Sequence, residues 1–196
     1  MKRFAKRSGL LPLALLLCAG PAFAQTKPAA PAAAPAAPPA PAAKSAACAS
    51  AGALPQSWSG QAYAIDGEQL GGVGLKAPLK LWGLQAPALR DAAKAETVGG
   101  MRARATLEDL LARADHKVKC RIARFDSDCR LVAQCALDEA QPVDLGGAML
   151  ASGVAWGHEL EDALSWEPRA SQRYADAEFE ARKARKGMWP VWLGEK

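Results

Sequence analysis

The sequence predicts an α+β fold, mainly β: a small five-stranded Greek-key barrel carrying about three helices. Two observations lead there. Between Trp58 and Leu137 lie five short runs with strand character, each bounded by Gly, Pro or Asp, and one helical stripe is inserted after the third. Two further helical segments follow the last run. Composition alone does not separate this plan from another α+β arrangement.

In chain order, the strands are expected at Trp58 to Asp66, near Val73, at Pro78 to Leu84, at His116 to Arg124 and at Arg130 to Leu137. The inserted helix is MRARATLEDLLARA, where Met101, Ala105, Leu107, Leu111 and Ala114 form a stripe after a Gly99-Gly100 breaker. Asp144 is placed to cap a second helix over LGGAMLAS, with Gly153 as its stop and a brief strand at VAW beyond. Pro168 opens a third helix that runs through Lys186 and ends at Gly187.

What precedes these elements is of another kind. Residues 1–24 read as a signal peptide: MKRFAKR is a basic start, LLPLALLLCAG an apolar stretch, and Ala22-Phe23-Ala24 a small-residue cleavage site. Pro12 and the shortness of the apolar run argue against a membrane span, and Leu17 before Cys18 argues against lipoprotein processing. Residues 25–57 read as an Ala/Pro-rich disordered linker, within which the stretch KPAAPAAAPAAPPAPAAKSAACAS favours extended conformations and reaches on the order of 60 Å at roughly 3 Å per residue. The folded domain is then expected over 58–196 in an exported protein, periplasmic or secreted, with no transmembrane segment in the mature chain.

This division changes the meaning of the charge. The chain has 25 Lys+Arg and 20 Asp+Glu, net +5. Lys2, Arg3, Lys6 and Arg7 belong to the leader and Lys27 and Lys44 to the spacer, so the domain keeps 25 − 6 = 19 basic against 20 acidic residues, a net of −1. A strongly basic nucleic-acid-binding domain is thereby excluded.

Export also sets the cysteine chemistry, since disulfides persist outside the cytoplasm. The mature chain keeps Cys48, Cys120, Cys129 and Cys135; with no CxxC pair and only two histidines, His116 and His158, a zinc site is disfavoured. A hairpin closing through Phe125 to Cys129 brings Cys120 opposite Cys135 on the core side, within reach of a cross-strand disulfide; a buried thiol pair is the alternative. The pairing of Cys48 and Cys129 stays open.

Several phrases then occur in one order over residues 60–190: AIDGEQL, LKLWGLQAPAL, KVKC, FDSDCRLVAQC, VDLGGAMLASGVAW and YADAEFEARKARKGMW. Together they resemble the thermonuclease family, the staphylococcal-nuclease-like OB-fold domains. The resemblance implies a five-stranded barrel flanked by three helices. It also implies an ancestry among calcium-dependent phosphodiesterases that cut DNA and RNA.

That chemistry needs a hard cation on oxygen ligands, a base for the water and cationic groups at the phosphoryl oxygens. By resemblance, Glu68 takes the place of a metal-binding carboxylate, on a longer arm. Gln85 stands where the second metal carboxylate belongs, and Ala88 where the general base belongs. Lys80 replaces a phosphate-clamping Arg, keeping charge without the bidentate fork. Arg130 alone is unchanged, beside Cys129 in the place of a usual Gly. Loss of a positioned base costs roughly 10²- to 10⁴-fold in rate. The expectation is therefore weak or absent phosphodiesterase activity, with Lys80 and Arg130 as vestigial phosphate contacts, weak calcium binding at most through Glu68 and Gln85, and a role as a binding module.

The alternative is an active calcium-dependent nuclease with a rearranged site, in which Asp91 or Glu96 supplies the missing carboxylate. Nucleic acid is an open partner that bulk charge does not support, and a protein or cell-envelope partner is open as well. Trp82, Trp156 and Trp189 are expected to pack in the core, by resemblance; Trp58, Trp166 and Trp192 are less fixed. The run Arg182, Lys183, Arg185 and Lys186 reads as a solvated helix end.

Overall fold

The computed structural model describes Cys48 and residues 52–194 of the protein. The expected signal peptide, and the spacer apart from Cys48 and residues 52–57, lie outside the described residues. Strands β1 (Ser57–Ala64), β2 (Gln69–Gly72) and β3 (Leu79–Leu81) come first, followed by the two-residue β4 (Leu84–Gln85) and helix α1 (Val98–Ala112). Then come β5 (Lys117–Phe125), β6 (Leu131–Leu137), α2 (Leu145–Ser152), β7 (Trp156–Gly157), α3 (Ala170–Lys183) and the short α4 (Trp189–Trp192).

Five strands close into a barrel in the order β1-β2-β3-β6-β5. All neighbours are antiparallel except β3 and β6, which run parallel with Leu79 opposite Leu131 and Leu81 opposite Ala133. The chain between that parallel pair runs through β4, α1 and β5, because parallel neighbours cannot be joined by a tight turn. The mixed, mainly β architecture with a closed five-stranded barrel agrees with the sequence reading.

The barrel is filled by alternation. On β5, Val118, Cys120 and Ile122 are buried while Lys117, Lys119 and Arg121 are exposed, and on β6 Ala133, Cys135 and Leu137 face them. Cys120 and Cys135 are register partners and form a disulfide. Leu70, Leu79, Leu81, Leu107, Leu111 and Leu145 complete the centre. Burial of each such side chain contributes roughly 1.5–3 kcal/mol.

Three elements differ from the sequence expectation, each for a local reason. The run expected at Pro78 to Leu84 splits into β3 and β4, because Gly83 takes φ +76 between them; a Cβ there would meet Tyr174 and Leu160 at about 3 Å. β4 leaves the barrel and pairs with β7, with Gln85 opposite Trp156. The strand expected near Val73 ends at Gly72, and Val73 is 77% exposed.

The third difference is at α1. Gly99 and Gly100 lie inside the helix, whose N-cap is Thr97: its Oγ1 accepts from Gly100 N at 3.0 Å. Gly100 is required by packing, since a Cβ would sit 2.4 Å from Ala88 O and Leu89 Cα. The buried face is accordingly Gly100, Ala103, Leu107, Leu110 and Leu111, whereas Met101 and Ala105 are exposed.

The second helix follows its sequence signals, with Asp144 Oδ1 accepting from Gly147 N at 2.7 Å and Gly153 left-handed at φ +74. Trp82 is buried against Tyr174, and Trp189 is buried beside Trp192. Trp156 is half-buried, edge-on to Trp192.

Candidate functional site

The β1–β2 turn is built by Asp66. Its Oδ1 accepts from the backbone N–H of Glu68 at 2.8 Å and of Gln69 at 2.7 Å, and its Oδ2 accepts from Gln69 Nε2 at 2.7 Å. This turn aims Glu68 at the β3–β4 segment. Glu68 Oε2 accepts from Ala86 N at 3.1 Å, and Glu68 Oε1 lies 3.8 Å from Lys80 Nζ, with both side chains about one-fifth exposed. Strand pairing sets this meeting, because Gln69 and Lys80 are register partners on β2 and β3.

Arg130 is held by the turn between β5 and β6. Asp126 Oδ1 accepts from Asp128 N and Arg130 N, each at 2.9 Å, and Asp126 Oδ2 accepts from Arg130 Nε at 2.9 Å. Arg130 Nη2 donates to Asp128 Oδ2 at 2.9 Å. Burial opposes ionisation of Asp126, but the hydrogen bonds from the Arg130 backbone and guanidinium and from Asp128 N outweigh it and hold its carboxyl below the usual range. Cys129 closes the turn in the left-handed region at φ +59, and its sulfur is bonded to Cys48. The chain ahead of β1 is thus stapled to the turn that presents Arg130.

Lys80 and Arg130 line one cleft of about 430 Å³, together with Cys48, Arg124, Asp126 and Glu159. Arg124 was not singled out from the sequence. It is 5% exposed and paired with Glu159 and, at 3.1 Å, with Asp162. Its signal was present in the alternation: after Val118, Cys120 and Ile122 the next position of the same parity is Arg124, a cation where an apolar residue is expected. A register shift between Ile122 and Arg124 carries it to the cleft wall.

All three cations of this cleft are engaged by acidic side chains: Lys80 by Glu68, Arg124 by Glu159 and Asp162, Arg130 by Asp126 and Asp128. Five carboxylates against three cations make the surroundings unfavourable to a phosphate group, which would have to displace internal partners.

Glu68, Gln85 and Ala88, the other positions singled out by the sequence resemblance, are not among the residues lining that cleft. Gln85 lies on β4, held by backbone pairing to Trp156. Ala88 is a helix-docking position: its carbonyl accepts from Thr97 Oγ1 at 2.5 Å and packs against Gly100. Asp91 Oδ1 accepts from Ala95 N at 3.0 Å, and Glu96 lies 3.7 Å from Arg90, so both acids close their own exposed loop.

The donor set does not fit a calcium ion, which takes six to eight oxygens. Of the two positions that the sequence resemblance assigns to metal carboxylates, 68 and 85, only Glu68 is acidic, and the Lys80 ammonium lies 3.8 Å from it. Among the described residues no group of three or more His, Cys, Asp or Glu is arranged to hold a metal.

No curated protein matches the chain. The family model described as staphylococcal nuclease homologue matches residues 78–191, from β3 through the first turn of α4, more than half of the chain. With the closed barrel and this match, the chain belongs to the staphylococcal nuclease homologue family.

Proposed function

We propose that this family member is an exported binding module with weak or no phosphodiesterase activity. The observation that carries the reading is Ala88: the position of the general base is a methyl group whose backbone anchors Thr97 and Gly100 of the helix start. Nothing at that position can take a proton from water. Loss of the base lowers the rate roughly 10²- to 10⁴-fold, and loss of a charged metal ligand at Gln85 lowers it further. Calcium binding through Glu68 and Gln85 is weak at most. Export is supported by the basic-apolar leader and the two disulfides. The partner is a protein or cell-envelope component rather than nucleic acid, because the domain is slightly acidic and its cleft cations are internally paired.

One observation favours the second reading, a nuclease with a rearranged site: Lys80 and Arg130 still line a common cleft. Cleavage of single-stranded DNA with calcium separates the two. The chain is expected to be silent, and the triple substitution Lys80→Arg, Gln85→Asp and Ala88→Glu to bring back measurable cleavage. Calcium-dependent cleavage by the natural chain that Arg130→Ala abolishes would establish the nuclease reading instead.

A further inference from the structure

We propose that the Lys80 ammonium is the resident cation of the Glu68 position, so that this family member works without calcium. Both oxygens of Glu68 have a partner: Oε1 is ion-paired with Lys80 Nζ at 3.8 Å, outside hydrogen-bond distance, and Oε2 accepts from Ala86 N at 3.1 Å. The pair is about four-fifths buried and neutral as it stands. A divalent ion bound there would add two positive charges beside Lys80, against Glu68 as the one carboxylate in contact with that ammonium, in a partly desolvated place where like charges repel strongly; the nearby Asp66 carboxylate is turned instead to the backbone N–H groups of Glu68 and Gln69 and to Gln69 Nε2. The neighbouring residue that could have supplied a second negative charge is Gln85, an amide. The acids across the cleft do not make up the deficit, because Asp126 and Asp128 hold Arg130 while Glu159 and Asp162 hold Arg124.

The exclusion is therefore local and reversible. Ala86 N already touches Glu68, so residue 85 is next to the carboxylate. Gln85→Asp by itself offsets one of the two added charges, as it does in the Lys80→Arg, Gln85→Asp, Ala88→Glu variant; replacing the ammonium by a neutral side chain as well offsets the other.

This inference deepens the reading of the cleft as non-hydrolytic, but its readout is binding heat and melting temperature rather than cleavage, so the two can fail separately. The full chain is titrated with calcium chloride in a calorimeter and melted in calcium on the order of 10 mM, well above the dissociation constants of about 10⁻⁴–10⁻³ M found in extracellular calcium modules. The natural chain is expected to give no saturable heat and no rise in Tm over an EDTA control. Lys80→Met combined with Gln85→Asp is expected to gain a calcium-dependent rise in Tm that EDTA reverses and that adding Glu68→Gln removes. Saturable calcium binding by the natural chain that Glu68→Gln abolishes would overturn the proposal. A folded double variant that ignores calcium would overturn it too. If the double variant does not fold, the natural chain compared with Glu68→Gln still decides.

Discussion

Asp126 shows how a single carboxylate can hold a functional turn. It accepts three hydrogen bonds from Asp128 and Arg130 while almost buried. Hydrogen bonds to a charged group are each worth about 1.5–3 kcal/mol, and Asp126→Asn is expected to lose a comparable amount in urea unfolding. Because its folded carboxyl titrates below the usual range, its contribution is complete above the unfolded value near 4 and disappears as pH falls through the folded one. The stability of the natural chain should therefore drop below about pH 4, more steeply than that of Asp126→Asn. Gly100 is the second residue with a defined cost. Ala is normally the better helix former by about 1 kcal/mol, yet Gly100→Ala should destabilise, because the added carbon would lie 2.4 Å from Ala88 O. A chemical melt showing Gly100→Ala as more stable would contradict that packing.

At the scale of elements, the legible parts of the fold were those specified by neighbours in sequence. The Asp144 cap and Gly153 stop of α2, and the alternation that sets Cys120 opposite Cys135, need only local geometry. What sequence reading missed depends on contacts distant along the chain. Gly99-Gly100 reads locally as a breaker, and only the approach of Ala88 explains a glycine within the helix. Gly83 splits a strand because Tyr174, far along the chain, packs over it. Arg124 is legible as an apolar-phase cation, but Glu159 and Asp162 come from a loop whose position alternation does not specify.

The staple from Cys48 to Cys129 is of the same long-range kind, with a sequence separation of 81. On chain-entropy grounds a closed loop of that size contributes about 4.5 kcal/mol, against about 3 kcal/mol for the hairpin-sized loop between Cys120 and Cys135. Cys48→Ser with Cys129→Gly should thus lower Tm measurably while leaving the barrel intact. Unchanged Tm would mean the staple adds nothing to stability. Tyr174 acts between helices: burial first, and then the Asp144 carboxylate that accepts its hydroxyl at 2.6 Å, raise its ionisation far above the usual value. Its protonated form is favoured by folding, so stability should decline above about pH 10, where the unfolded tyrosine ionises, and Tyr174→Phe should flatten that alkaline limb.

For the whole molecule, the net +5 describes three different regions. Six of the positive charges fall in the leader and spacer, and the remainder of the chain is at −1 with 19 basic and 20 acidic residues. A barrel of this charge, whose cleft cations already hold carboxylates, should bind DNA weakly and with a shallow salt dependence, since few phosphates would release counterions to it. The family match and the closed barrel establish membership of the family, and on the proposed reading Gln85 and Ala88 separate this chain from the family's chemistry. The central claim is that a nuclease scaffold has been kept without its cutting residues. The most direct measurement is the nicking of supercoiled plasmid by the purified chain in calcium, beside the Arg130→Ala variant. The account expects no nicking above that of the variant, and a calcium-dependent rate that vanishes with Arg130→Ala would contradict it.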